Sequence, residues 1–208
     1  MNHNKKRFIK NGIAAPVIIA MIMTGMLFVF LSFAAQDNHL FRSINLSNYE
    51  KSDIIQAEQI DTEQNDIAKS QLDALESNTV LGSIGVGNKS LPLILNANPV
   101  NAMGKFNIVQ GSRMIGETGC TYAYCAKADS ELIRSLSPGD SVNASLCYGD
   151  YAYKVVDVKN CDCNSIENIA GGISCALVLY TDAGNGVGIS SNCLAVICEL
   201  TDGIKITQ

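Results

Sequence analysis

The chain has 208 residues and a mass of 22.2 kDa, enough for one globular domain with additional segments. Its formal net charge is −5, and only 17% of its residues are charged. After Lys10 the sequence contains no run of basic residues, and it has no tryptophan. This acidic balance excludes a nucleic-acid partner, which requires a concentration of lysine and arginine on one surface.

The N-terminal part contains an apolar stretch over residues 13–33, about the length a helix needs to cross a bilayer. Four basic residues precede the stretch, and the next basic residue is Arg42; the four are Lys5, Lys6, Arg7 and Lys10. By the positive-inside rule, residues 1–12 form a cytoplasmic tail, residues 13–33 a transmembrane signal anchor, and the remainder lies outside. The alternative is a signal peptide cleaved after Ser32-Phe33-Ala34. The stretch is longer than the apolar region of such peptides, which favours the anchor.

Residues 34–78 form a polar and acidic segment, in which positions 36–78 contain no glycine or proline. Between Ser47 and Asn78 there are eight acidic residues and two lysines. Apolar residues recur at loose helical intervals, and Ser47 with Glu50 matches a capping box. We interpret the segment as a stalk, helical or extended. It serves either as a solvated spacer, which we favour, or as a helix that packs on the domain or self-associates.

From residue 79 to 208, short β-branched runs alternate with turn residues, which is typical of a mainly β domain. The predicted strands cover residues 81–86, 91–95, 121–127, 141–147, 151–158, 176–181 and 193–200. One short helix is expected at 130–136. Many short strands at this spacing predict a closed barrel or a sandwich.

The order of motifs in this domain resembles the sortase family, whose members are membrane-anchored, extracytoplasmic cysteine transpeptidases. The matching segments are "IGVGNKSLPLIL", "MIGETGCTYAYCAKADSELIRSLSPGDSV", "YAYKVVDVKNCD", "ALVLYTD" and "CLAVICEL". The resemblance implies a sortase-like closed β-barrel with short helices. It also implies that the strand carrying the catalytic histidine lies parallel to the nucleophile strand, with the arginine strand antiparallel to the latter.

The three residues that a sortase uses in catalysis are all replaced under this resemblance. Asp182, after Thr181, falls where the nucleophilic cysteine is expected. Cys125 or Ala126 takes the histidine position, and Asn192 or Cys193 takes the arginine position. The chain has no histidine after His39, and its nearest arginines, Arg113 and Arg134, lie far from the last strand in sequence. In a sortase the thiol attacks a peptide carbonyl, the histidine protonates the leaving amine and the arginine stabilises the oxyanion. We therefore expect no catalytic residue among these positions.

The eight cysteines form an even set, which predicts up to four disulfides outside the membrane and little residual thiol. The candidates are Cys120, Cys125, Cys147, Cys161, Cys163, Cys175, Cys193 and Cys198. The resemblance implies that Cys125, Asp182 and Cys193 meet at the mouth of the groove, where a Cys125–Cys193 bridge would cross the former catalytic site. It places Cys120, Cys175 and Cys198 at the opposite end, and Cys147 on the strand whose hairpin partner leads to Cys161 and Cys163. We expect no cofactor and no metal, since the chain lacks a CxxC motif.

The sequence thus favours a non-catalytic, sortase-like surface protein, anchored by a single pass in a Gram-positive-type membrane. Its expected partner is a surface-protein peptide or a true sortase. One alternative is an active cysteine transpeptidase with an atypical site, using Cys125 or Cys193. Another is a disulfide-stabilised extracellular binding module for a small molecule or glycan, with Tyr122, Tyr124 and Tyr180 lining a groove.

Overall fold

The computed structural model describes residues 19–27, 53–60, 69–98, 101–183, 192–204 and 206, in two compact units. In the N-terminal unit, residues 19–27 form an exposed helix, α1. No helix within the described ranges is both long and apolar enough to cross a bilayer. The predicted basic tail, both ends of the predicted anchor and most of the predicted stalk lie outside the described residues.

The described residues of the C-terminal unit form nine strands and two short α-helices. The strands are β1 (Ile55–Gln56), β2 (Thr79–Val86), β3 (Lys89–Leu95), β4 (Phe106–Ile108), β5 (Gly119–Cys125), β6 (Ser141–Leu146), β7 (Gly149–Asp162), β8 (Cys175–Asp182) and β9 (Asn192–Asp202). The helices are α2 (Lys69–Asp73) and α3 (Glu131–Arg134), with two 3₁₀ helices at Lys127–Asp129 and Cys163–Asn168. The strands follow the order β2-β3-β4-β5-β8-β9-β7-β6, and β6 pairs back onto β2. The mainly β closed barrel predicted from the sequence is therefore confirmed.

The three central strands have the directions that the resemblance implied. β5 runs parallel to β8, with Tyr124 opposite Tyr180. β8 runs antiparallel to β9, with Asp182 opposite Cys193. The ends of β5 and β8 thus meet the start of β9 at one rim of the barrel.

Alternation along these strands produces two hydrophobic clusters. The barrel core contains Ala123 and Cys125 of β5, Leu177 and Leu179 of β8, and Val196 of β9, all buried. The second cluster contains Val178, Ala195 and Ile197 on the opposite face of β8 and β9, together with Ile166 from the 3₁₀ helix Cys163–Asn168. The central strands are therefore covered on both faces, which explains the nearly continuous apolar run of β8.

Strands β4 and β7 differ from what the sequence predicted. β4 was not predicted, because its three residues are too few to display a strand periodicity. β7 extends to Asp162, beyond the predicted end at residue 158. Although Lys159 and Asn160 are polar, their backbones pair with Ala195 and Leu194 of β9.

The described part of the predicted stalk contains the two-residue strand β1 and the helix α2, and it contacts the barrel. The backbone N–H groups of Ile55, Ala57 and Ile60 donate to the carbonyls of Asn78, Val80 and Cys147, at 3.2, 3.2 and 2.8 Å respectively. Ala57, Ile60, Leu72 and Leu75 pack on the barrel core, and only α2 is helical. The favoured solvated spacer does not describe these residues: pairing with β2 replaces a helix at Ile55–Gln56, whereas Lys69–Asp73 is helical and buries Leu72 against the barrel core.

Candidate functional site

The candidate site lies on the face of β5, β8 and β9 that points away from the barrel core, which we call the outer face. Its residues alternate with those of the core: Cys120, Tyr122 and Tyr124 on β5; Val178, Tyr180 and Asp182 on β8; Cys193, Ala195 and Ile197 on β9. Cys120, Tyr122 and Tyr180 are partly buried against the second cluster. The outer face thus combines three tyrosine rings with one carboxylate at the rim.

Asp182, at the end of β8, accepts a hydrogen bond from a neighbouring strand. The Tyr124 hydroxyl donates to Asp182 Oδ2 at 2.8 Å, and the Tyr124 ring lies 5.3 Å from that of Tyr180, tilted by 56°. Burial, followed by the charge of Asp182, raises the pKa of Tyr124 well above its usual value. The same two causes raise the pKa of Tyr180 to about 12. Both phenols therefore remain protonated at neutral pH and act as hydrogen-bond donors rather than bases.

Arg134 on α3 also reaches the end of β8, although 48 residues separate it from Asp182 in sequence. Its Nη2 donates to the Asp182 backbone carbonyl at 2.8 Å, and its Nε donates to Ser130 Oγ at 3.0 Å. This contact was not predicted from the sequence, because it depends on α3 packing against β8. The Arg134 guanidinium thus lies at this rim, although it belongs to α3 and not to β9, the strand on which the resemblance expects an arginine.

Cys125 does not belong to the outer face, which corrects the expected meeting of Cys125, Asp182 and Cys193. Its side chain is fully buried in the barrel core, with Sγ 3.4 Å from the Asp129 carbonyl and 3.7 Å from the Ala126 carbonyl. The extended backbone of Ala126 (φ −62°, ψ 145°) continues the alternation of β5. Of the two candidates for the histidine position, Ala126 is therefore the one on the side of Tyr124.

Thr181 precedes Asp182 and faces the core. It is fully buried, and its Oγ1 has no hydrogen-bond partner among the described residues. Asn192, at the start of β9, is exposed and lies opposite Asp162 of β7. Its carbonyl accepts from the Ala183 N–H at 2.9 Å. The Thr181 side chain therefore points away from the Asp182 carboxylate, since the two residues alternate along β8.

The sequence allowed up to four disulfides, and the described residues contain one, between Cys163 and Cys193, a pairing that was not predicted. The expected Cys125–Cys193 bridge is wrong, because Cys125 and Cys193 lie on opposite faces of the sheet. The other six cysteines are thiols in this structure, which does not match the expectation of little residual thiol. Cys125, Cys147, Cys175 and Cys198 are buried, whereas Cys120 and Cys161 are half-buried. Burial raises the pKa of Cys198 to about 12.

At this rim a carboxylate lies at the end of β8, and the cysteine at the start of β9 is part of a disulfide. A carboxylate is a weak nucleophile toward amides, Cys193 is held in a disulfide, and Cys125 is enclosed in the core. The chain's two histidines, His3 and His39, lie outside the described residues. No group of three or more metal-binding side chains occurs in the described part of the chain. What the rim presents is a hydrogen-bonded carboxylate, a guanidinium and an aromatic surface.

Comparison with known proteins identifies the architecture. No protein-family model and no curated protein sequence matches the chain. Among solved structures, it is similar to Clostridium perfringens sortase C with its C-terminal cell wall sorting motif (24% identity, 62% of this chain and 74% of the other, TM-score 0.53).

Two further matches extend over 81% of this chain. One is a Clostridium perfringens sortase D5 transpeptidase (12% identity, 99% of that chain, TM-score 0.54). The other is Streptococcus pneumoniae sortase C (13% identity, 89% of that chain, TM-score 0.54). The barrel, its strand order and these similarities together show that the chain has the sortase fold.

Proposed function

We propose that this chain is a non-catalytic member of the sortase family that binds a segment of a cell-surface protein on its outer face. Residues 13–33 hold it in the membrane as a single-pass anchor, with the barrel outside a Gram-positive-type cell. It assists a catalytic sortase by presenting or retaining the substrate peptide.

The observation that carries the proposal is the environment of Asp182. The resemblance places this residue at the nucleophile position, where Tyr124 donates to its carboxylate and Arg134 to its carbonyl. These contacts hold a side chain that cannot form a thioester. Among the cysteines near this residue, Cys125 faces the core and Cys193 is oxidised, whereas the thiol of Cys161 lies on β7, two strands away from β8.

Peptide binding is supported by the aromatic side chains of the outer face. The rings of Tyr122, Tyr124 and Tyr180 lie on one face beside the Asp182 carboxylate. Tyrosine provides large contact area at low entropic cost together with a polar tip, which suits an extended peptide. One similar structure is that of a sortase C with the C-terminal cell wall sorting motif.

The test presents the full-length chain, in detergent, with fluorescent sorting-signal peptides and a glycine nucleophile. We expect saturable binding by fluorescence anisotropy, without cleavage or transpeptidation by mass spectrometry. Tyr180→Ala should weaken binding at least about tenfold, in line with the loss of one aromatic contact. The matched control is Lys154→Ala on β7, which is exposed and distant from the outer face in strand register.

Two outcomes would contradict the proposal. Turnover that disappears in Cys125→Ala or Cys161→Ala would establish an active transpeptidase with an atypical site. If none of the sorting-signal peptides binds, the ligand is not a peptide of this kind. Anchoring is tested separately by carbonate extraction of membranes and by N-terminal sequencing. A mature N-terminus near Ala35 would indicate a cleaved signal peptide instead.

A further inference from the structure

Three cysteines lie together at the edge of the outer face, next to the strand end that carries Asp182. Cys161 on β7 is directly opposite Cys193 on β9. Cys163 follows two residues later and forms the disulfide with Cys193, with a Cα–Cα distance of 5.3 Å. Cys193 therefore has one cysteine as its disulfide partner and a second as its cross-strand neighbour.

Strand geometry brings Cys161 within bonding range of Cys193. Residues directly opposite in an antiparallel pair have Cα atoms about 4.5–5.5 Å apart and side chains on the same face. Disulfides span Cα–Cα distances of about 4.4–6.8 Å. Cys193 can therefore be bridged by either Cys161 or Cys163 without rearrangement of the β7–β9 ladder.

We propose that Cys161, Cys163 and Cys193 form a thiol–disulfide exchange site. The Cys161 thiolate attacks Cys193 Sγ, the bond between Cys163 and Cys193 breaks, and Cys163 leaves as a thiolate. Cys161 releases its proton to solvent, and Cys163 takes one up, so the step requires no oxidant or reductant. The inference stands apart from the peptide proposal, because disulfide mapping alone decides it.

The exchange has a structural consequence for the outer face. The disulfide attaches the start of the 3₁₀ helix Cys163–Asn168 to β9, and Ile166 of this helix is buried in the second cluster. The Tyr122 hydroxyl donates to the Glu167 carbonyl at 2.6 Å. Once Cys161 holds Cys193, the disulfide at the first residue of the helix is lost, whereas the non-covalent contacts of Ile166 and Glu167 remain. The exchange thus controls how firmly this helix covers the outer face.

Burial and the neighbouring charges determine the pH at which the exchange proceeds. Burial raises the pKa of the Cys161 thiol, and Lys159 opposes this rise while Asp162 adds to it. The exchange rate follows the thiolate fraction and should therefore increase about tenfold for each pH unit below the thiol pKa. Exchange should accordingly be slow at pH 6.5 and rapid at pH 9.

The first test follows the disulfide in wild-type protein. Full-length chain is incubated at pH 6.5 and pH 9, quenched with acid, alkylated and digested with a protease that cleaves before aspartate. Cleavage before Asp162 separates Cys161 from Cys163, so mass spectrometry identifies each bridge. We expect a Cys161–Cys193 bridge with alkylated Cys163 to appear at pH 9. A bridge that remains Cys163–Cys193 throughout, with alkylated Cys161, would overturn the proposal.

The second test uses variants and serves as an independent check. Cys163→Ser should form Cys161–Cys193 under the isolation conditions that oxidise the wild type, whereas Cys161→Ser should retain only Cys163–Cys193. Backbone hydrogen exchange over residues 163–170 should be faster in Cys163→Ser than in Cys161→Ser. The control is Cys120→Ser, a half-buried thiol on the same face whose β8 partner is Ala176 and not a cysteine. If Cys163→Ser folds but leaves Cys161 and Cys193 as thiols, the proposal fails. If it does not fold, the wild-type mapping decides.

Discussion

Tyr124 and Asp182 join the ends of two parallel strands by a hydrogen bond of 2.8 Å between phenol and carboxylate. The donor and acceptor are 58 residues apart in sequence, and the bond lies at the rim where the resemblance expects a proton-transfer residue and a nucleophile. A bond of this kind fixes the carboxylate rather than activating it, because the raised pKa of Tyr124 keeps its proton on the phenol.

Removal of this bond should destabilise the barrel. For Tyr124→Phe we expect the free energy of unfolding to fall by about 1–2 kcal/mol, since a partly buried hydrogen bond to a charged acceptor is lost. Urea denaturation monitored by circular dichroism gives the value. Tyr122→Phe is the matched control on the same strand, because its hydroxyl donates to a neutral carbonyl and should matter less. An equal loss in the two variants would contradict the special role of the Tyr124–Asp182 pair.

Alkaline pH should unfold the protein through its tyrosines. Folding raises the phenol pKa of Tyr180 to about 12 from about 10 in the unfolded chain, chiefly by burial and then by Asp182. A group whose folded pKa is raised contributes stability that is complete below pH 10 and is lost as pH rises toward 12. Tyr124 and the fully buried Tyr148 shift in the same direction.

The measurement is the urea midpoint between pH 8 and pH 12, together with phenolate absorbance. We expect the midpoint to fall steadily above pH 10. In Asp182→Asn the pKa of Tyr180 should decrease, since a neutral amide replaces the carboxylate, although burial keeps it above 10. A midpoint that is constant to pH 12 would show that the tyrosines are accessible to water.

Arg134 should contribute to the order of the rim more than its exposed position suggests. Arg134→Met removes the hydrogen bonds to the Asp182 carbonyl and to Ser130 while retaining much of the apolar stem. We expect a loss of about 0.5–1.5 kcal/mol in unfolding free energy and faster hydrogen exchange at the end of β8. Glu131→Gln on the same helix breaks an exposed ion pair with Lys89 and should have little effect. Similar behaviour of the two variants would place Arg134 in solvent.

The fold was predictable because its signals are local, whereas the rim depends on contacts that sequence does not display. Alternation and turn residues predicted seven of the nine strands in the described residues, whereas β1 and β4, with two and three residues, are too short to show a periodicity. Residues alternate between the two faces along Tyr122, Ala123, Tyr124 and Cys125, which already indicates that Cys125 faces the core. The order of motifs does not contain this information. The Arg134 contact follows from helix packing and has no comparable sequence pattern.

The disulfide illustrates the same limit. Cys163 pairs with Cys193 because β7 continues to Asp162, beyond the last apolar residue that marks it as a strand. This extension brings residues 161–163 alongside the start of β9. Counting cysteines gives their even number and nothing about which strand end reaches which.

The thiols should differ in reactivity according to the face on which they lie. In native protein at pH 8, an alkylating reagent should label Cys120 and Cys161 first, because both are half-exposed. Cys125 and Cys198 should react only after unfolding, since both are fully buried and the pKa of Cys198 is raised to about 12. Time-resolved alkylation with peptide mapping provides the order. Early labelling of Cys125 would return it to the list of possible nucleophiles.

Reduction of the disulfide should measure how much it constrains the unfolded chain. Cys163 and Cys193 are 30 residues apart, and loop-closure entropy for that separation corresponds to about 3–4 kcal/mol. We expect the free energy of unfolding to fall by that amount when a reductant is added, with an unchanged barrel by circular dichroism. The control is Cys193→Ser, which cannot form a bridge to either Cys161 or Cys163 and should show no further loss on reduction. A wild-type stability that does not respond to reductant would mean that the bridge is absent in solution, or that its removal is offset by relief of strain in the native β7–β9 ladder. Disulfide mapping of the same sample before reduction separates these two explanations.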